Sequence, residues 1–419
     1  MAGIDDTLEG QLAFAYQDGG NPATATGAWA QKRRIPQVLN SMMRDPTSLQ
    51  SRRRTGLRYT MLLFIVFALV AGWTGYWKFA ASKGQQTIDG WRAREARAGR
   101  IYNCGSQSIG GFPFRIEVNC GDASAVFPAN QPPLELKTSS IMVLSQVYQP
   151  GLLISEFHGP LTVGELGKTP NVIADWKSAQ SSLRGTPAAP SRASLVLEQP
   201  VVDRMDGGNR QNLLRAKHIE FHGRLAEGSV TNNPVLEVAL QLDQATAPDL
   251  HPAAARPTDA TITGLFRGLA DFSPQPWSAR FREMQAAGGR IDITQARVQQ
   301  GDIVAVGGGS LSLNADGKLE GQLRVTIVGL EQFLAAIGAQ QLVQTSPQMD
   351  KLAGALDRLA PGLGGLARQQ AGANISTGIN LLGEQAMLEG KKAVTLPLRF
   401  NDGAVFLGPM PIGNTPALF

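Results

Sequence analysis

Residues 235–243 read VLEVALQLD, with apolar and polar side chains alternating along the run. Successive side chains of a strand point to opposite faces, so this run predicts a strand with one apolar and one polar face. The apolar face carries Leu236, Val238, Leu240 and Leu242. One apolar face per strand is typical of an antiparallel sheet with a single side covered.

The same alternation recurs after residue 100. In QLRVTIV, residues 322–328, the apolar positions are Leu323, Val325 and Ile327. The Asp-Gly pairs within 314–317 and 401–403 suit tight hairpin turns, which need positive φ. Helical stretches are expected at 84–100, 276–287, 331–339 and 347–370. The sequence therefore predicts a mainly β fold with flanking helices (α+β), built on an antiparallel, curved sheet.

The composition of the 419 residues indicates a folded chain, since 43% are apolar and 17% are charged. The formal net charge of +5 is small and much of it lies before residue 60, so we predict no nucleic-acid partner. Two cysteines and four histidines exclude a multi-cysteine metal scaffold, and no cofactor is predicted.

An uncharged apolar run, YTMLLFIVFALVAGWTGYW, occupies residues 59–77. Its length of about 19 residues approaches the ~20 that a helix needs to cross a ~30 Å hydrocarbon core. Tyr59 stands at one end and Trp73, Tyr76 and Trp77 at the other, where interfacial aromatics are expected. A buried soluble helix, the alternative, usually keeps a polar face. The run predicts a transmembrane signal-anchor in front of the sheet.

The charges beside this run predict its orientation. The basic residues just before it are Arg44, Arg52, Arg53, Arg54 and Arg58. An equal stretch after it holds Lys78, Lys83 and Arg92. The positive-inside bias predicts a single-pass inner-membrane protein with a cytoplasmic N-terminus and a periplasmic body. A cleaved signal peptide is the alternative, but residues 78–84 show no A-x-A cleavage pattern.

These patterns divide the chain into segments. Residues 1–58 are predicted to form a flexible cytoplasmic tail, because hydrophobic periodicity is absent there. The Pro/Ala-rich stretch 247–260 is the best boundary inside the exported body. It separates two periplasmic β-rich parts, 78–246 and 261–419, of which the second carries the amphipathic helices.

Cys104 and Cys120 are the two cysteines of the chain, and both lie in the exported body. An oxidising compartment permits a disulfide between them, which we predict. Closing a loop of about 16 residues would stabilise the domain by roughly 3 kcal/mol in the chain-entropy model. Two free buried thiols are the alternative.

The segment His218-Ile-Glu-Phe-His222 invites a metal interpretation, but Ile219 stands where the helical zinc motif needs glutamate. The alternation predicts a strand, with His218, Glu220 and His222 on a solvated face. The glycine runs at 307–309 and 362–365 match neither phosphate-binding pattern, and there is no nucleophile elbow. We therefore predict no metal site, no catalytic residue and no enzymatic activity. A hydrolase built on a hidden carboxylate pair is the alternative.

Three segments carry a resemblance to a known family. They are WTGYW at 73–77, LRFNDGAVFLGPMPIG at 398–413 and the motif formed by Gly111, Phe112, Pro113, Phe114 and Arg115. From about residue 58 onward the chain resembles a family of uncharacterised one-span Gram-negative envelope proteins, a domain of unknown function. The activity of that family is unknown, so the resemblance implies no catalytic residue.

Residues 289–334 are also similar to repeats of AsmA-like inner-membrane proteins. That resemblance implies a periplasmic sheet curved into a lipid-holding groove. The candidates for its lining are Leu236, Val238, Leu240, Leu242, Leu323, Val325 and Ile327, with the amphipathic segment 347–360 as a cover.

Three hypotheses follow for the function. The first is a protein anchored in the inner membrane that binds phospholipid or other acyl lipid in envelope lipid handling. The second is an envelope scaffold with a closed core and a protein partner. The third is the hydrolase without a visible motif.

Overall fold

The structure is a computed structural model that describes residues 53–186, 189–273, 275–338, 357–358, 365, 383–408 and 410–419. Most of the predicted tail, 1–58, and most of the predicted amphipathic helix, 347–370 with its covering part 347–360, lie outside the described residues. The chain divides into two compact units, residues 1–65 and residues 66–419. In the first unit the described chain is helical, and residues 56–65 are exposed.

Residues 357–358 and 365 are helical, and four further helices have both ends within the described ranges. They are α1 (Arg53–Arg97), η1 (Pro252–Ala255), α2 (Trp277–Ala286) and α3 (Leu330–Ala336). The apolar run at 59–77 and most of the helix predicted at 84–100 belong to α1, because no proline interrupts them. The helix ends before Gly99, whose φ of 76° is typical of a helix C-terminus. Residues 56–97 of α1 are long and apolar enough to cross a membrane, and their apolar window is unburied.

Twenty strands among the described residues form one open sheet, and every pairing is antiparallel. They are β1 (Ile101–Gly110), β2 (Arg115–Phe127), β3 (Leu134–Gln146), β4 (Gln149–His158), β5 (Leu161–Glu165), β6 (Val172–Asp175), β7 (Ser178–Thr186), β8 (Ala189–Glu198), β9 (Val201–Asp206), β10 (Asn209–Arg215), β11 (His218–Ser229), β12 (Asn232–Ala245), β13 (Thr258–Arg267), β14 (Arg290–Gln300), β15 (Ile303–Leu313), β16 (Leu319–Val328), β17 (Glu384–Leu388), β18 (Lys391–Asn401), β19 (Ala404–Leu407) and β20 (Met410–Asn414).

The strands follow one main ladder with a branch. The ladder runs β1, β2, β3, β4, β7, β8, β11, β12, β13, β14, β15, β16, β18, β19, β20. The branch of β5, β6, β9 and β10 starts beside the first half of β3, and β17 pairs with β18. The predicted antiparallel fold is thereby confirmed. Both predicted hairpin turns are confirmed as well, with positive φ at Gly317, Asp402 and Gly403.

The stretch 247–260 connects β12 to β13 and includes the first three residues of β13, and these two strands pair directly with each other. The two predicted parts of the body thus contribute to the same sheet. A domain boundary at this stretch stays a prediction.

The largest buried clusters of the described residues lie toward the C-terminal end of the ladder. α3 places Leu330 and Leu334 against Ile327 and Leu396. α2 places Met284 against Leu269 and Leu313. Short helices thus cover one face of the sheet at this end.

Candidate functional site

Opposed residues of neighbouring strands lie on the same face of a sheet, so the strand register identifies which side chains form a surface. One cross-strand row, named here the Leu242 row, is apolar at every position. Its twelve members are Cys120, Ile141, Phe157, Ala179, Leu197, Ile219, Leu242, Ala260, Val298, Ala305, Ile327 and Val394.

A second row lies beside it on the same face and is named the Leu240 row. Its members are Val118, Val143, Ser155, Ser181, Leu195, Phe221, Leu240, Ile262, Ala296, Gly307, Val325 and Leu396. Only Ser155 and Ser181 are polar in this set. The two rows together form a continuous apolar face from β2 to β18.

The burial of this face changes along the ladder. From β3 to β13, named the open stretch, Ala179 and Ala260 are buried, but every larger apolar member of the rows keeps part of its surface exposed. Phe221 is 40% exposed. From β16 to β18, named the covered end, Ile327 and Leu396 are each 1% exposed and pack with the α3 residues.

The predicted lining residues lie on this face. Leu240 and Val325 share one row, Leu242 and Ile327 share the other, and the register through Gly264, Ile293 and Gly309 puts Val238 and Leu323 in a third. Their burial divides them. Val238, Leu240 and Leu242 are half-buried, Leu323 and Ile327 are buried, Val325 packs against the α3 cluster and Leu236 against the α2 cluster.

Sequence reasoning missed most of the open stretch. Leu195 and Leu197 of β8 flank Phe221 and Ile219 of β11, and Phe157 of β4 lies in the same face. The short apolar run Leu195-Val-Leu197, which Ser194 and Glu198 flank, is a weak signal that could have indicated β8. The sequence has no comparable signal for the pairing of β4 with β7 or of β8 with β11.

The opposite face of β11 carries a chain of hydrogen bonds. Glu198 Oε1 lies 2.7 Å from His218 Nδ1, and Glu220 Oε1 lies 2.8 Å from His218 Nε2. Glu220 Oε2 lies 2.9 Å from His222 Nε2, and Ser194 Oγ lies 2.8 Å from His222 Nδ1. The predicted strand is confirmed, with both histidines on one face. No group of three or more His, Cys, Asp or Glu residues in the described ranges is placed to hold a metal ion.

These contacts shift two pKa values in opposite directions. Desolvation lowers the pKa of His218, but its hydrogen bonds to Glu220 and Glu198 outweigh this effect and raise the pKa above 6.5. Hydrogen bonds from His222 and His218 lower the pKa of Glu220 below 4.5. The arrangement is a network of mutually bonded side chains on the polar back of the open stretch.

The motif at 111–115 lies against the end of the apolar run of α1. Trp73 Nε1 donates to the carbonyl oxygen of Pro113 at 2.8 Å, and Trp77 Nε1 donates to that of Arg115 at 2.8 Å. The ring of Phe112 lies edge-on to Trp77, with centroids 5.6 Å apart. Gly111 has a φ of 95°, and a Cβ there would lie 2.7 Å from the carbonyl oxygen of Arg115, so this turn needs glycine.

Cys104 of β1 and Cys120 of β2 lie at disulfide-bonding distance, with Cα atoms 5.3 Å apart. The second half of α1 packs beside them. Arg92 Nη2 lies 2.9 Å from Cys104 Sγ, and the rings of Trp91 and Tyr102 are 4.8 Å apart. Gln107 Nε2 donates to Gln85 Oε1 at 2.8 Å.

No curated protein matches this chain. A protein-family model matches residues 77–416, which include the 111–115 motif, both apolar rows and the His218 network. The matched range is most of the chain. The chain therefore belongs to the bacterial family described as "Uncharacterized protein conserved in bacteria (DUF2125)".

Proposed function

We propose that this chain is a non-enzymatic, membrane-anchored envelope protein that binds the acyl chains of phospholipid or another lipid on the open stretch. The observation that carries the proposal is the continuous apolar face whose large side chains stay partly exposed from β3 to β13. A continuous apolar face that stays partly exposed supports an interaction site, since soluble surfaces usually keep contiguous apolar patches small.

The dimensions of the open stretch suit a hydrocarbon chain. Seven neighbouring strands, from β3 through β4, β7, β8, β11 and β12 to β13, contribute to it. Six spacings of ~4.8 Å make it about 29 Å long. One leaflet of acyl chains takes up half of the ~30 Å hydrocarbon core of a bilayer, about 15 Å, so the open stretch is long enough for a whole acyl chain to lie along it.

The chemistry of the face also favours lipid over a protein partner. An acyl chain needs no hydrogen bonds, and the two rows offer polar side chains at Ser155 and Ser181 alone. A protein surface brings polar backbone and side-chain groups that need partners when buried. The scaffold alternative is supported by the closed packing at the covered end, where Ile327 is buried.

The proposed location is the inner membrane, with the N-terminus in the cytoplasm and the body in the periplasm. The arginine-rich flank before the apolar run supports this orientation. The Cys104–Cys120 pair supports an oxidising compartment for the body. A reporter that is active only in the cytoplasm, fused after Phe419, should give no signal. A signal from this fusion would show that the orientation is the opposite of the proposed one.

Photo-crosslinking tests lipid binding in the full chain. Benzoylphenylalanine at position 221, irradiated in native membranes, should yield a phospholipid adduct that mass spectrometry identifies. Adding Leu240→Asp should abolish the adduct, because a carboxylate opposite Phe221 disfavours hydrocarbon. Thr261→Asp is the matched control, since Thr261 is exposed on the polar face of the neighbouring strand. Absence of a lipid adduct in the unsubstituted background would remove the proposal.

A further inference from the structure

We infer that the exposed rings of Phe112, Phe114 and Tyr148 insert into the membrane interface at the C-terminal end of the apolar run, beside the open stretch. These three side chains, named the aromatic patch, are 52%, 62% and 69% exposed. The inference deepens the proposed function, and rests on it where it assigns the aromatic patch as the surface through which lipid reaches the open stretch.

The height of the patch is set by the helix beside it. Trp73 and Trp77 are in the last turns of the apolar run, where interfacial aromatics are expected in a spanning helix. Their ring nitrogens bond directly to the backbone of Pro113 and Arg115. The turn that carries Phe112 and Phe114 is therefore held at the level of this aromatic belt.

The next turn of the sheet lies at the same level. The amide nitrogen of Val147 donates to the carbonyl oxygen of Phe114 at 3.0 Å, which places the β3–β4 turn and Tyr148 beside the motif. The ring of Phe114 also lies 6.2 Å from that of Trp73. Arg115 pairs with Glu117 at 3.2 Å and keeps more than half of its side chain exposed, so its guanidinium can also face lipid headgroups at this level.

The patch leads onto the apolar face. Ile116 and Val118 follow Phe114 on one side of β2, and Val118 belongs to the Leu240 row. α1 packs on the same face at this edge, because Gln85 bonds Gln107 and Gln107 lies opposite Cys120 of the Leu242 row. The open stretch thus begins next to the helix. An acyl chain could move from the bilayer along the patch onto the rows with little exposure to water.

The inference is tested by benzoylphenylalanine at position 114 or 148 in the full chain, reconstituted in phosphatidylethanolamine–phosphatidylglycerol vesicles. Position 250 is the matched control, because Leu250 is 83% exposed and follows the C-terminal end of β12. The 111–115 motif lies at the other edge of the sheet, on the side of the N-terminal end of β12. We expect phospholipid adducts at positions 114 and 148 in large excess over position 250. Circular dichroism of each variant checks that the β-sheet is retained, which these exposed positions should allow.

Equal adduct yields at positions 114 and 250 would overturn the inference. Vesicles of the same composition that carry the position-221 variant distinguish a failure of this inference from a failure of the proposed function. Adducts at 114 without adducts at 221 support the membrane contact and remove lipid binding by the open stretch. Adducts at 221 without adducts at 114 retain lipid binding and remove the aromatic patch as its entrance.

Discussion

The open stretch and the covered end belong to the same rows of the same sheet, yet they differ in what lies above them. Leu242 is half-buried and Ile327 is 1% exposed, although both occupy apolar positions of alternating strands in one row. β16 is followed by α3, which packs on Ile327, whereas β12 is followed by the short helix η1. Strand pattern determines which face is apolar, and the place where a helix packs back onto the sheet determines which part of that face is covered.

The return of the chain after β16 produces the covered end. Gly329 adopts a φ of 72°, and α3 begins at the following residue. Leu330 and Leu334 are consequently brought back onto Ile327. After β12 the chain continues instead into η1, which has no buried residue. The comparison therefore predicts different responses to the same substitution in the two regions.

The largest effect is expected for Ile327→Asp at the covered end. A carboxylate would be buried there without a partner, at a cost of about 4 kcal/mol or more. We therefore expect the variant to be partly or fully unfolded. Urea denaturation of the full chain in detergent, followed by the circular dichroism of the β-sheet, measures this loss. Ile327→Val is the control and should cost about 1 kcal/mol. A well-folded Ile327→Asp variant would contradict the closed packing under α3.

The second prediction concerns the edge of the sheet that adjoins the open stretch. Replacing Cys104 and Cys120 by serine should lower the free energy of unfolding by roughly 3 kcal/mol, because the unfolded chain loses a closed loop. Hydrogen exchange should accelerate in β1 and β2 and remain slow in β16 and β18, if the two regions unfold separately. Treatment of the wild-type protein with reductant should reproduce the change, and exchange that is insensitive to both would exclude the bond.

The sequence was sufficient to predict which face of these strands is apolar, but it was insufficient to predict which parts of that face other elements bury. Alternation at 235–243 and 322–328 identified the apolar sides, and the Asp-Gly turns identified two hairpins. These signals are local, with period two or a required positive φ. The contacts of Trp73 and Trp77 with the 111–115 motif join residues about 40 positions apart and leave no local pattern. Half-burial at Leu240 depends on which elements return to the face, and composition does not encode that.

Leu240→Asp is the counterpart of Ile327→Asp in the open stretch, and its expected effect is smaller. The new carboxylate would reach water across the partly exposed face, so only apolar contact is lost, at a cost of about 1 kcal/mol. Urea denaturation under the same conditions should show a folded protein with a slightly lower midpoint. A loss as large as that of Ile327→Asp would mean that the open stretch is a closed core, and would favour the scaffold alternative.

The smallest effect is expected on the polar back of the open stretch, in the His218 network. The raised pKa of His218 means that its stabilising contribution is fully present below about 6.5 and is lost as the pH rises through the folded value. The lowered pKa of Glu220 means that its contribution is present above about 4.5 and is lost as the pH falls through the folded value. Both contributions are therefore present between about pH 4.5 and pH 6.5. The carboxylates that face His218 from the neighbouring strands are those of Glu198 in β8 and Asp243 in β12.

His218→Gln should therefore destabilise the protein most near pH 5.5, by about 0.5–1 kcal/mol because the network is partly solvated, and less near pH 8. Urea denaturation of both proteins at the two pH values measures this difference. Thr261→Gln, on the same polar face, is the control for a change without a titrating group, and its effect should not depend on pH. A destabilisation by His218→Gln that is equal at both pH values would show that His218 acts through packing alone. The polar back would then contribute to the stability of the open stretch without any dependence on its charges.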